Sequence, residues 1–224
     1  MIKLLVFDMD GLLLDSERHM YSRLGAEVSR KLGMEIDLPF LRSMMGNDWK
    51  IYKQKVAEHM GKDFPIDEYM RLLNEGIDYT IENVPIPMRP GAMEVLNYGK
   101  ENGYLMAIAT STHKRQAYQC LHNAGIFDYF DYIITGDEVS KGKPDPEIFL
   151  KAIAHFGVDK NEAIILEDGH NGSQAAFRGG CRLIIVEDLA VITDEDREKA
   201  ELHTYDLHDV IDFLRRDHEA ASGL

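Results

Sequence analysis

Residues 1–17 read MIKLLVFDMDGLLLDSE, and FDMDG at positions 7–11 sets the frame for the chain around it. The run before it, IKLLVF, has the length and apolar content of a buried β-strand, and it ends in two carboxylates, Asp8 and Asp10. Residues i and i+2 of a strand share a side, so this pair repels at short range. Gly11 then offers a turn. Like charges at the edge of a hydrophobic layer need an offsetting charge, from a side chain or from a bound cation.

Beyond this point the pattern is helical. From Ser16, a candidate N-cap, Met20, Leu24, Val28 and Leu32 recur every four residues as far as Gly33, which predicts a helix of about 17 residues. Trp49, Tyr52, Val56 and Met60 form a second stripe, and Tyr69, Leu73, Ile77 and Ile81 a third. Met44 and Met45 are expected to pack among these helices. The pattern breaks at VPIPMRPG, where Pro85, Pro87 and Pro90 can continue neither helix nor central strand.

After this linker, strands and helices alternate: a helix from about Ala92, strand YLMAIA, helix HKRQAYQCLHNAG, strand YIIT, helix PEIFLKAIAHFG, strand AIILE, helix NGSQAAFRGG and strand CRLIIV. Alternation at these lengths implies βαβ units and a parallel sheet covered on both faces. The expected fold is a doubly wound α/β core (residues 1–14 and 87–224), interrupted after the first strand by a small helical domain (15–86). The tail from Asp217 to Leu224 is small and polar and is expected to fray.

Composition narrows the function. In 224 residues, 45% hydrophobic content suffices for a real core. The 25 basic residues against 39 acidic give a net charge of −14, which argues against nucleic acid or an anionic membrane as partner. Cys120 and Cys181 both lie in apolar segments, which argues against a disulfide framework and for a reducing compartment. The first strand is short, carries only Lys3 ahead of the acids and does not read as a secretory signal, so a cytoplasmic location is expected. The nine histidines show no HxH or HExxH spacing.

In open α/β sheets, ligands sit at the carboxyl ends of the strands. Asp8 and Asp10 follow the first strand, Thr110 and Ser111 follow YLMAIA, and Glu167 and Asp168 close AIILED; Lys143 lies in the loop SKGKPDPEIF. Four carboxylates at one edge cannot all stay ionised without a counter-charge, and Mg²⁺ with oxygen ligands is the economical one. Mg²⁺ commonly shares its coordination between a few carboxylates and a substrate phosphate, which Lys143 and Thr110 would help to hold.

FDMDG, the strand ending in Thr110, Lys143 in KGKPDPEIF and the acidic pair in ILEDGHNG resemble, in order and spacing, the four motifs of the haloacid dehalogenase-like hydrolase superfamily. A helical insert directly after the first motif is similar to the β-phosphoglucomutase and sugar-phosphate phosphatase branch, where it forms a cap. The resemblance implies Asp8 as the nucleophile that takes the phosphoryl group and Asp10 as the general acid and base. It implies phosphate binding by Thr110, Ser111, Lys143 and Gly11, and Mg²⁺ held by Asp8, Asp10 through its backbone carbonyl, and Asp168, with Glu167 in or just behind the ligand set. The implied activity is Mg-dependent hydrolysis of a small phosphorylated metabolite, by a monomer, through an aspartyl-phosphate.

Three positions depart from the family pattern. Gly169 stands where relatives commonly carry serine after the acidic pair. Trp49 in MGNDWK occupies the place of an arginine that grips a second phosphate in mutases, and His19 falls one place early. The last two favour hydrolysis over phosphomutase chemistry, which is the alternative. A receiver-like phospho-acceptor switch fits less well, being about half this length with its acceptor on a later strand, and an inactive interaction module would not be expected to fill all four motifs.

Overall fold

In a computed structural model, the structure describes residues 1–16, 18, 22–44, 47 and 49–222, with the side chains at 22, 221 and 222 excepted. Six parallel strands, β1 (Leu4–Phe7), β2 (Leu105–Ala109), β3 (Tyr132–Ile134), β4 (Ala163–Glu167), β5 (Arg182–Val186) and β6 (Leu202–Thr204), form one sheet in the order β3-β2-β1-β4-β5-β6. The helices are α1 (Ser22–Lys31), α2 (Leu38–Ser43), α3 (Trp49–Met60), α4 (Ile66–Asn83), α5 (Ala92–Glu101), α6 (Lys114–Asn123), α7 (Glu147–Phe156), α8 (His170–Gly179), α9 (Asp194–Lys199) and α10 (His208–Ser222).

The strands are apolar throughout because both faces of the sheet are covered. Leu5, Phe7, Met106, Ile108, Ile164 and Leu166 point to the side packed by α5, α6 and α10, where Val95, Leu121 and Val210 are buried. Their neighbours Leu4, Val6, Ala107, Ala109, Ile165 and Ile185 face α7 and α8, with Phe149, Ile153 and Ala176. Cys120 belongs to the first layer and Cys181 to the second, so the sheet separates the two thiols. Burial pushes the Cys120 thiol up to about 12. Among the described residues, no helix is long and apolar enough to cross a membrane.

The strand order places the site. From β1 the chain winds one way through β2 to β3, then returns to β4 on the other side of β1 and winds outward to β6. The connections leaving β1 and β4 therefore diverge, and a crevice opens at the carboxyl ends of these two adjacent strands. Register pairs Phe7 with Leu166, so Asp8 and Glu167, each one residue further on, meet at that crevice.

Between β1 and α5 run α1 to α4, whose inner sides bury Val28, Leu41, Val56, Tyr69, Leu73 and Ile77. Each full burial of an aliphatic side chain among these contributes about 1.5–3 kcal/mol, which is what orders so short a bundle. The two stretches that lead into and out of these helices lie side by side, Leu14 bridging Met88 in antiparallel fashion, with Asp15 N–H donating to Pro87 O (2.8 Å) and Arg89 N–H to Leu13 O (2.8 Å). Both are tied to the loop after β5, where the buried Asp188 carboxylate accepts from Arg18 (2.6 Å) and pairs with Arg89. Elsewhere the helices meet the sheet domain through polar contacts: Gln116 donates to Asp78 (2.8 Å) and Asn123 to Ile81 O (2.6 Å).

The structure departs from the sequence-based expectations in three places. Ser16 and Arg18 are themselves helical, as expected of a helix beginning there, but Ser16 does not cap it: the residue is buried and its hydroxyl donates to Asp10. The helix α2, the strand β6 and the helices α9 and α10 lie in segments given no element from sequence. Asp217 and the residues after it do not fray through residue 222, because α10 runs to that point and Asp217 accepts from Ile2 N–H (2.7 Å) and from Arg182 (3.2 Å). Met20, His19 and Met45 lie outside the described residues, as do Gly46 and Asp48 of MGNDWK.

Candidate active site

An open pocket lies over the crevice. Asp8, Asp10, Thr110, Ser111, Lys143, Glu167 and Asp168 form its floor, so the strand-end residues expected from sequence converge on one place. Lys143 is 2% exposed and bridges two of the acids, its Nζ donating to Asp8 Oδ1 (2.5 Å) and Glu167 Oε1 (2.6 Å). The ammonium also lies 4.9 Å from the ring centre of Phe149, so it reaches the floor through the apolar layer of α7.

Glu167 is fully engaged. While Oε1 takes Lys143, Oε2 accepts from the backbone N–H groups of Asp168 (2.9 Å) and Gly169 (3.0 Å). A Cβ at Gly172, in the first turn of α8, would stand 1.7 Å from Oε1, so only glycine leaves room for this carboxylate. Gly11 acts similarly on Asp168. Its φ is +86°, and a Cβ there would lie 2.1 Å from Asp168 Oδ2. The Gly11 N–H donates to Leu14 O (2.8 Å), so its part in the site is close approach to Asp168 rather than a free amide for phosphate.

Asp10 is held separately from the other acids. Oδ1 accepts from Ser16 (2.7 Å), and Oδ2 from Thr112 (2.6 Å) and, at 3.4 Å, from Thr110. Thr110 in turn accepts from Thr112 N–H (3.1 Å). Burial raises Asp10 above the usual carboxylate range, against the pull of these hydrogen bonds. Burial also lifts Asp8 well above that range, with the Glu167 and Asp10 charges adding to it and Lys143 opposing. Burial works against the Lys143 ammonium, yet Asp8 and Glu167 keep it charged by raising it above an ordinary lysine.

Four carboxylates against one ammonium leave an excess of negative charge on the floor. Oxygens of Asp8, Glu167 and Asp168 lie within 4.8 Å of one another, a hard-donor set that suits a divalent cation such as Mg²⁺. Asp8, Asp168 and Glu167 could each offer an oxygen to such an ion, and the hydrogen bonds on both Glu167 oxygens would fix its place in the set.

Opposite this floor, the helical insert supplies Leu41, Met44, Asn47, Trp49 and Tyr52. Met44 is buried but faces the cavity as well as the helices, so it does more than pack them. Ser16, Thr112, Gly172 and this wall were not singled out as site residues from sequence. For Thr112 a signal existed: it stands two residues after Thr110, the same spacing that pairs Asp8 with Asp10.

Residues 5–186 match the sequence profile of the haloacid dehalogenase-like hydrolases. The chain belongs to that family. It is 33% identical to the validoxylamine A 7'-phosphate phosphatase of Streptomyces hygroscopicus subsp. limoneus over 184 residues, covering 80% of this chain and 83% of that one. It is 28% identical to a phosphorylated carbohydrates phosphatase of Thermotoga maritima over 179 residues, 80% of this chain and 82% of the relative. The crystal structure of CbbY from Rhodobacter sphaeroides in complex with phosphate superposes with a TM-score of 0.78 at 25% identity, over 92% of this chain and 95% of that one.

Within this hydrolase family the departure at Gly169 now has a structural account. Gly169 is the N-cap of α8 with φ −122° and ψ 155°, values open to any residue. A Cβ would make ordinary contacts, 3.5 Å from Ala190 Cβ and 3.8 Å from Glu167 Oε2. Gly169→Ser should therefore fold, cap the helix and raise stability by a few tenths of a kcal/mol. A thermal melt checks this; a fall of several degrees would show that the loop depends on glycine.

Proposed function

We propose that this chain is a Mg²⁺-dependent phosphatase that hydrolyses small, sugar-like phosphate monoesters through an aspartyl-phosphate on Asp8, with residues 15–86 acting as a cap over the core. The chain is a phosphoric monoester hydrolase of the haloacid dehalogenase-like family. One observation carries the reading furthest: Lys143 lies 2.5 Å from Asp8, while Asp10, close by, is held by three hydroxyls. That separates a nucleophile beside a fixed positive charge from a protonatable carboxyl beside the leaving group.

Asp8 attacks phosphorus along the axis of the P–O bond that breaks, and Lys143 both aligns the attacking carboxylate and binds a transferring oxygen. Asp10, raised by burial, donates a proton to the departing oxygen, then takes one from the water that hydrolyses phospho-Asp8. Thr110 and Ser111 offer hydroxyls to the phosphoryl oxygens. A divalent ion at Asp8 and Asp168, joined by the Asp10 carbonyl, would supply the charge that lets a carboxylate approach a phosphate dianion.

The cap reading rests on the paired stretches at 13–15 and 87–89 and on the polar contacts of α4 with α6. Partly exposed polar contacts of this kind are worth under about 1 kcal/mol each, weak enough for the cap to open and close. Closure excludes bulk water and macromolecules, which favours small substrates. The carbohydrate phosphatases among the relatives support the sugar-phosphate class.

The test is a panel of phosphate monoesters assayed with and without EDTA. Chelation should abolish turnover and Mg²⁺ should restore it. Full activity in metal-free buffer would reject the metal assignment.

A further inference from the structure

The loop between β5 and α9 is anchored on both sides of Asp188. Before it, Glu187 donates its N–H to Thr204 O (2.8 Å), and its carboxylate accepts from Arg197 (2.9 and 3.0 Å) and shares a hydrogen bond with His203 (2.8 Å). After it, Ala190 lines the pocket and Val191 O accepts from His170 N–H (3.1 Å) at the start of α8. Asp188 is thus a fixed point of the core. Its buried carboxylate faces the two stretches that lead into and out of the helical insert.

Each stretch sends it one arginine. From the outgoing stretch, Arg89 pairs with Oδ1; its side chain is 10% exposed and its backbone N–H is already bonded to Leu13 O. From the ingoing stretch, Arg18 binds as a fork, Nη2 to Oδ1 (2.6 Å) and Nη1 to Oδ2 (3.2 Å), yet its side chain is 42% exposed. Arg18 Nη1 also reaches Asp15 Oδ1 (3.3 Å), a carboxylate of its own segment.

Burial decides which pair can break. Parting Arg89 from Asp188 would enclose a charge without its counter-ion, which a low-dielectric setting penalises heavily. Parting Arg18 from Asp188 strands neither group: Arg18 keeps Asp15 and water, and Asp188 keeps Arg89. An exposed ion pair that breaks in this way is modest in strength, screened by salt and reversible.

We propose that Asp188 is a clasp for the cap, with Arg89 as its fixed arm and Arg18 as its releasable arm, so that the Arg18–Asp188 pair sets how much time the cap spends over the floor. This rests on the reading of residues 15–86 as a cap. With the clasp engaged, the wall of the insert and the acidic floor line one pocket. Release leaves the insert tied through the paired stretches at 13–15 and 87–89, free to swing away. Arg18 and Asp188 are not among the residues that line the pocket, so both act as positioning residues, through the cap.

The test uses Trp49, the single tryptophan of the chain, which stands on the wall of the insert and reports whether that wall is covered. Arg18→Gln should raise acrylamide quenching of its fluorescence, and should raise KM for p-nitrophenyl phosphate about three- to tenfold with a smaller change in kcat. Arg18→Lys, which keeps the charge without the fork, should fall between. Raising salt from about 0.01 M to about 1 M shortens the screening length from about 30 Å to about 3 Å, and should bring wild-type quenching toward the Arg18→Gln value while moving the variant little. Asp15→Asn removes the partner that receives the released arm and should shift quenching the other way, below wild type. A merely structural Arg18 would lower the melting temperature without this salt dependence and without the opposite sign at Asp15. Adding Mg²⁺ and inorganic phosphate should reduce quenching in the wild type by drawing the cap down. A wild type that responds to phosphate while a folded Arg18→Gln protein matches it at low salt would overturn the clasp alone, as would equal increases from the Arg18 and Asp15 substitutions. A wild type that responds to neither salt nor phosphate would overturn the cap reading, and the clasp with it.

Discussion

Replacing Asp8 by asparagine should abolish turnover, by on the order of 10⁴ to 10⁶, the scale seen when a covalent nucleophile is removed from an enzyme. The fold should survive. Asp8 keeps its place through the backbone, its N–H donating to Leu166 O (2.9 Å), and the β1 core contacts come from Leu5 and Phe7. Asparagine retains a carbonyl oxygen for Lys143, which also keeps Glu167. Removing one charge from a floor that holds four carboxylates and one ammonium relieves repulsion. Melting temperature in EDTA should therefore be unchanged or higher, and no radiolabel should remain on the chain after acid quenching with labelled substrate. Retention of more than about a tenth of wild-type activity would be far outside this range and would remove Asp8 as nucleophile. Unfolding of the variant would point to a structural role instead.

The sequence exposed most of this site because its parts repeat one local rule. Each strand is a short apolar run, buried on both faces, and each ends where polarity begins, so Asp8, Thr110 and Glu167 could be read as strand-end residues before any contact was known. The less legible parts depend on tertiary contacts. The strand β6 is three residues, LHT, too short for alternation to register, and it exists because it pairs with Ile184, Ile185 and Val186 of β5. The end of α10 looks like a polar tail, yet Asp217 ties it to Ile2 and Arg182, more than thirty residues away in either case. Ser16 sat where a helix cap would, and a local rule gave it that role; its hydroxyl instead serves Asp10. Met44, Trp49 and Tyr52 of the cavity wall read as helix packing because residues that face a cavity and residues that face a core share the same periodicity.

Glu167 shows how the structure alters the chemistry even where the residue itself was anticipated. Sequence left it in or just behind the ligand set of the metal. Its hydrogen bonds to Lys143, Asp168 N–H and Gly169 N–H make it the support that orients both the lysine and the Asp168 backbone, with Gly172 leaving the space it occupies. Of the three clustered carboxylates, Asp8 and Asp168 could face an ion while Glu167 would fix their geometry.

Asp10→Asn separates proton transfer from mere charge. With a poor leaving group such as a sugar hydroxyl, loss of the general acid should cost on the order of 10² to 10⁴ in rate. With p-nitrophenyl phosphate, whose leaving group departs without a proton, phosphorylation of Asp8 should suffer much less. Hydrolysis of phospho-Asp8 still needs Asp10 as base, so a burst of about one nitrophenolate per site followed by a slow steady state is expected. Metal affinity should hold, since the clustered oxygens belong to Asp8, Glu167 and Asp168 while the Asp10 carboxylate is bonded to Ser16, Thr112 and Thr110. Those hydroxyls can turn to accept from an asparagine amide, so the loop after β1 should keep its shape. Stopped-flow absorbance and a Mg²⁺ titration read the two halves of the argument independently. Equal losses for both leaving groups, with no burst and with Mg²⁺ affinity collapsed, would show Asp10 to be a ligand or a structural residue, and the proton would then have to come from elsewhere.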